Sequence, residues 1–102
     1  MYMIQILLPV RDNNNQAFPA ESYAGIREVL TKQFGGITAY TRAPAEGVWR
    51  DDQNAAHRDD MVILEVMTAE LDGAWWQEYK RQLKITFSQE DIIIRVHKIM
   101  IL

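Results

Sequence analysis

Three features of this chain predict an α+β fold of the ferredoxin-like βαββαβ type, an antiparallel four-stranded sheet with two helices on one face. Met1–Val10 and Ile92–Ile101 carry the two-residue alternation of strands, and Met61–Met67 is a compact apolar run between turn signals. Glu21–Phe34 and Leu71–Phe87 repeat their apolar residues with the period of helices. The resulting order, strand, helix, strand, strand, helix, strand, fills 102 residues, the size of one domain over positions 1–102.

Each element has its own justification. Strand 1 sets Tyr2, Ile4, Ile6, Leu8 and Val10 on one face and Met3, Gln5 and Leu7 on the other. The polar segment Arg11–Ala17, with Asn13-Asn14-Asn15, reads as a turn. Pro19 suits the first helical position, and Tyr23, Ile26, Leu30 and Phe34 form the apolar stripe of helix 1. Glu28 and Lys32 have the spacing of a surface ion pair on that helix. Gly35-Gly36 ends it, because glycine takes the left-handed conformation without strain.

Strand 2 runs from Ile37 to about Arg42. Ala43–Asp60 is long for a hairpin loop, so an extra short strand or hairpin is expected around Gly47–Arg50. Strand 3 is Met61–Met67. Helix 2 has Asp72 near its start and a stripe of Trp76, Tyr79, Leu83 and Phe87, with Trp75 beside it. Ser88–Asp91 is the last turn before strand 4.

Parity divides the sheet into two faces. Ile4, Ile6 and Leu8, Val62, Leu64 and Val66, and Ile92, Ile94 and Val96 form one wholly apolar set, which the two helices need to pack on. The opposite set is mixed: Met3, Gln5 and Leu7; Met61, Ile63, Glu65 and Met67; Ile93, Arg95, His97 and Ile99, with Thr38, Tyr40 and Arg42 matching them on strand 2. So much Ile, Leu and Met calls for a second covering layer.

Composition narrows the function classes. Net charge −3 lacks the basic footprint of a general nucleic-acid binder, and strand 3 lacks the stacking aromatics of RNA-binding sheets. Zero cysteines exclude disulfides, thiolate metal sites and cysteine nucleophiles. No apolar run approaches a membrane span, and the N-terminus lacks a leader pattern, so the expected location is the cytoplasm. No Gly-rich phosphate loop is present, and no cofactor or metal is expected.

Element order and face polarity together resemble the dimeric α+β barrel superfamily, in which two ferredoxin-like subunits pack sheet against sheet around a cavity. Locally, Phe34–Trp49 (FGGITAYTRAPAEGVW) is similar to a signature of small, functionally uncharacterised bacterial proteins. The resemblance implies a homodimer through the second sheet face and a small-molecule ligand. The superfamily includes cofactor-free monooxygenases, chlorite-dismutase-like haem proteins and muconolactone-type isomerases, and no one member's catalytic pattern maps onto this chain.

Candidate site residues follow from the second face. Burying Glu65 or Arg95 unpaired is costly, so these two and Gln5 are expected to be coupled, as a ligand-binding patch or as a structural network at a dimer interface. His97 and Glu65 are the candidates for proton transfer, although His97 also reads as an edge histidine without an orienting carboxylate. Arg42 offers a cation at the end of strand 2, with Tyr40 beside it. Trp49 suits either a lid over a planar ligand or a plug into a neighbouring subunit. His57, beside Arg58, Asp59 and Asp60, reads as a solvated loop, not a metal site. The expected function is a small-molecule-binding homodimer with cofactor-independent oxygenase or isomerase activity open to it; the alternatives are a non-catalytic assembly module and an amino-acid-sensing regulatory domain.

Overall fold

The computed structural model describes residues 1–35, 38–42 and 61–102, with 38–42 described by backbone alone. It is an α+β structure: β1 (Tyr2–Pro9), α1 (Ala20–Phe34), β2 (Thr38–Arg42), β3 (Met61–Thr68), α2 (Gly73–Thr86) and β4 (Ile93–Lys98). The sheet order is β2-β3-β1-β4 and every pairing is antiparallel. Residues 36, 37 and 43–60 lie outside the described residues, and with them the expected Gly47–Arg50 hairpin, Trp49 and His57.

The alternation in β1 produces a two-sided strand. Ile4, Ile6 and Leu8 are completely buried, and they meet Leu64 and Val66 of β3, Ile26 and Leu30 of α1, and Trp76, Tyr79 and Leu83 of α2 in one core. Both helices therefore lie on the same sheet face. Each fully buried aliphatic side chain contributes about 1.5–3 kcal/mol through loss of apolar surface from water.

Local chemistry sets the element ends. Pro19 stands one position earlier than expected, as the N-cap, with extended backbone and no side-chain cap. Gly35 ends α1 at φ 83°, donating its N–H to the Thr31 carbonyl at 2.7 Å. Helix α2 begins two residues later than the periodicity predicts, because Asp72 caps it by accepting from the Trp75 N–H at 3.1 Å. Phe87 closes α2 as a buried wedge between the rings of Phe18, 4.9 Å away, and Tyr23 at 5.5 Å. At the other end of the helices Phe34 stacks on Trp76 at 5.4 Å and meets Trp75 edge-on at 5.3 Å.

Three expectations need correction. Strand β4 spans Ile93–Lys98, not Ile92–Ile101: its ladder ends at Tyr2↔Lys98 because β1 runs out, although Ile99 still donates to the Met1 carbonyl at 3.0 Å. Val96 is 44% exposed although its register partner Ile4 is completely buried, so the helix layer thins over this edge strand. Among the described residues the closed ion pairs are Glu78–Arg81 at 2.7 Å and Lys80–Asp91 at 3.1 Å; Glu28–Lys32 is not one, since an exposed pair gains little over free side-chain rotation. No helix of the described residues is long and apolar enough to cross a membrane.

Burial pushes the Tyr79 hydroxyl up from 10.0 to about 12. Below pH 10 folded and unfolded chains both keep this proton, so the contribution is whole there. Between pH 10 and 12 the unfolded state ionises first, and stability falls as pH rises. Denaturant titrations across that range should show a shallower decline for Tyr79→Phe than for the wild type; an identical slope would contradict the burial of this hydroxyl.

Candidate functional site

The second sheet face is ordered by strand register into rows running across the strands. One row carries Glu65, Gln5 and Arg95 on β3, β1 and β4, and Thr38 of β2 stands opposite Glu65. On one side of it Met67, Met3 and His97 are aligned. On the other, Tyr40, Ile63, Leu7 and Ile93 are in register, followed by Arg42, Met61 and Pro9.

Sequence reasoning expected coupling of Glu65, Gln5 and Arg95, and the structure draws the first two together. Gln5 donates from Nε2 to Glu65 Oε1 at 2.6 Å. Arg95 occupies the next position along the row and is exposed on the edge strand. His97 is exposed and stands opposite Met3, one row from Gln5. Glu65 and His97 are separated by the whole of β1, roughly 10 Å of strand spacing, so they do not form an acid–base pair across the face. Tyr40 and Arg42 take the register positions opposite Ile63 and Met61; Trp49 lies outside the described residues.

Apolar side chains surround this polar row. Met67 and Ile93 are more than half exposed, whereas Ile63 is almost wholly buried although it is not part of the helix-side core. At the end of the face where β1 finishes and β3 and β4 begin, a cavity of about 530 Å³ opens against Leu7, Met61 and Ile93. Its size is that of a pocket for a small organic molecule. The rim comes from two connections, 11–15 and 89–91.

Both rim segments are held in place. Asp12 Oδ1 accepts from the N–H groups of Asn14 and Gln16, each at 2.9 Å, and Asn15 adopts the left-handed region at φ 63°. Arg11 donates to the Asn15 carbonyl at 3.3 Å. On the other side Gln89 donates from Nε2 to the Phe87 carbonyl at 3.0 Å, and Lys80 and the Ile92 N–H hold the Asp91 carboxyl below its usual range. The charged rim groups are thus engaged within the protein, whereas the Asn13 and Asn15 side-chain amides make no hydrogen bond among the described residues. Sequence reading took both segments as plain connectors; the run Asp12-Asn13-Asn14-Asn15, the strongest Asx-turn signal in the chain, was the available clue. A second cavity, about 490 Å³, lies between the end of α1 and the start of α2, bordered by Phe34, Glu70, Asp72 and Trp75. Among the described residues no cluster of His, Asp and Glu suits a metal ion.

No family model matches this chain, and no curated protein matches it. Among solved structures, a phage SAM lyase in complex with S-methyl-5'-thioadenosine is similar, with TM-score 0.64 and 14% identity over 95% of this chain and 80% of that one. A phage SAM lyase in the apo state is similar with TM-score 0.62 and 12% identity over 94% of this chain and 78% of that one. At such identities the likeness is one of fold.

The Gln5–Glu65 bond should be measurable by a double-mutant cycle. Gln5→Ala and Glu65→Ala are expected to be non-additive in thermal or urea unfolding, with a coupling on the order of 1.5 kcal/mol for a hydrogen bond to a charged group. Additive losses would show that the bond contributes nothing to the folded state.

Proposed function

We propose that this chain is a small-molecule-binding domain of the dimeric α+β barrel type, in which two ferredoxin-like units pack second face to second face and the cavity at the end of that face takes the ligand. One observation carries the reading: a sheet face uncovered by either helix, rich in Met, Ile and Leu, with a preformed cavity opening at its edge. Apolar floor and hydrogen-bonding rim together are the usual make-up of a ligand pocket. Rim segments already fixed by their own hydrogen bonds lose little freedom when a ligand arrives.

The similar phage enzyme, in complex with S-methyl-5'-thioadenosine, supports a small-molecule role for this fold and suggests the first ligand class to test, a nucleoside with an apolar substituent. Engaged charges and unengaged amides at the rim favour an uncharged molecule of that kind. In this reading Tyr40, Arg42, Trp49 and Arg95 are the residues assigned to ligand binding. If it is turned over without a cofactor, as in the superfamily's oxygenases and isomerases, Glu65 or His97 supplies the proton-transfer group. A purely assembling module would use the same face and leave the cavity empty.

Titration with S-methyl-5'-thioadenosine, followed by amide resonances, should move Leu7, Gln89 and Ile93. The pair Asn13→Ala/Asn15→Gly should weaken that binding about tenfold, the loss of two ordinary hydrogen bonds. A broader set of uncharged and charged metabolites that leaves both the resonances and the melting temperature unmoved would contradict the small-molecule reading and favour the assembling module.

A further inference from the structure

The two carboxylates lining the larger cavity are held in different ways. Asp91 pairs with Lys80 at 3.1 Å and also accepts from the Ile92 N–H, so a cation answers its charge. No cation answers Asp12 among the described residues. Its Oδ1 accepts from the N–H groups of Asn14 and Gln16, each at 2.9 Å, and the neighbouring Arg11 donates to the Asn15 carbonyl instead. An ionised carboxylate offers roughly four acceptor sites, shared equally between its oxygens. The two backbone bonds therefore fill Oδ1. Oδ2 makes no hydrogen bond or ion pair among the described residues, and it belongs to a half-buried side chain.

We propose that Asp12 receives a vicinal diol at Oδ2, the 2'- and 3'-hydroxyls of a ribose. The inference rests on the small-molecule reading of this cavity and adds which part of a nucleoside the carboxylate holds. Adjacent hydroxyls each need an acceptor, and one oxygen with its whole capacity open serves both. A planar pair of N–H groups, as on a base edge, instead spans both oxygens of a carboxylate, and one of them is already filled here. Arg11 and Lys80 match Asp12 and Asp91 in number, so these rim groups carry no net charge that would draw in a cation. The bonds to Oδ1 fix the carboxylate before the ligand arrives, so little side-chain freedom is lost on binding. A ligand without the hydroxyls leaves a charged acceptor shielded from water and unsatisfied, which is a strong basis for rejecting it.

Calorimetric titration of the chain with S-methyl-5'-thioadenosine and with its 2'-deoxy and 3'-deoxy counterparts tests the assignment. The wild type should bind the ribose compound about tenfold or more tightly than either deoxy compound, the loss expected for one hydrogen bond to a charged acceptor. Asp12→Asn keeps a carbonyl oxygen for the two backbone N–H groups and puts a donor in place of the second oxygen. This variant should melt like the wild type and bind all three compounds about equally. The wild-type comparison stands even if the variant does not fold. Equal binding of the three compounds by the wild type, or a ribose preference that survives Asp12→Asn, overturns the diol assignment while the cavity keeps its ligand. Binding of none of the three overturns the nucleoside class, and the assignment with it.

Discussion

The hydrogen-bond ladders on both edges of β1 set the problem that the rest of the molecule answers. Strands β3 and β4 pair with it residue for residue, so its side chains can only project to the two faces, and neither face begins with a cover. The helix side is covered within the chain: Ile4, Ile6 and Leu8 vanish beneath Ile26 and Leu30 of α1 and the Trp76–Leu83 stripe of α2. The other side receives Met3, Gln5 and Leu7 and is covered by neither helix. With one layer of helices and two faces of sheet, the second face becomes the surface on which function has to be sought.

That face combines two kinds of chemistry at different positions. Along its middle row a glutamate, an amide and a guanidinium follow one another across three strands, with the Gln5–Glu65 bond fixing one end. Toward the C-terminal end of β1 the polar groups give way to Leu7, Met61 and Ile93, and the cavity forms where the strands hand over to their connecting turns. Aspartates bond within both turns: Asp12 accepts from two backbone N–H groups and Asp91 pairs with Lys80. A partially apolar pocket beside a charged row suits recognition by shape together with a few directed hydrogen bonds. In contrast, among the described residues His97 and Glu65 stand on opposite sides of β1 and do not form an acid–base couple.

Much of the architecture was legible in the sequence because hydrophobic periods report directly on burial. The stripe Trp76, Tyr79, Leu83 and Phe87 predicted the inner side of α2, and all four side chains are buried. Parity also predicted which β1 residues enter the core. Periodicity fails at ends and edges, where it sees only residue type: Ile99, Met100 and Ile101 extend the apolar run of β4 but lie beyond Tyr2, where β1 begins. Val96 likewise reads as core and is exposed, because helix cover depends on where α2 lies and not on the strand's own pattern. The cavity rim was illegible for a different reason: Asn13 and Asn15 come from one turn and Gln89 from another, and only the fold brings them to one opening. The Arg42–Trp49 stretch that the sequence singled out falls mostly outside the described residues.

Coverage of the second face by another copy is the claim on which the functional reading turns, and a reactive probe on Ile93 tests it most directly. The wild-type chain has no cysteine, so Ile93→Cys places a single thiol at a position 53% exposed in the isolated chain. Glu28→Cys on the outer surface of α1 provides an uncovered reference. The proposed assembly predicts that the thiol at position 93 reacts slowly with a water-soluble maleimide at high protein concentration and speeds up on dilution, while that at position 28 reacts quickly throughout. Equal, concentration-independent rates at both positions would contradict it.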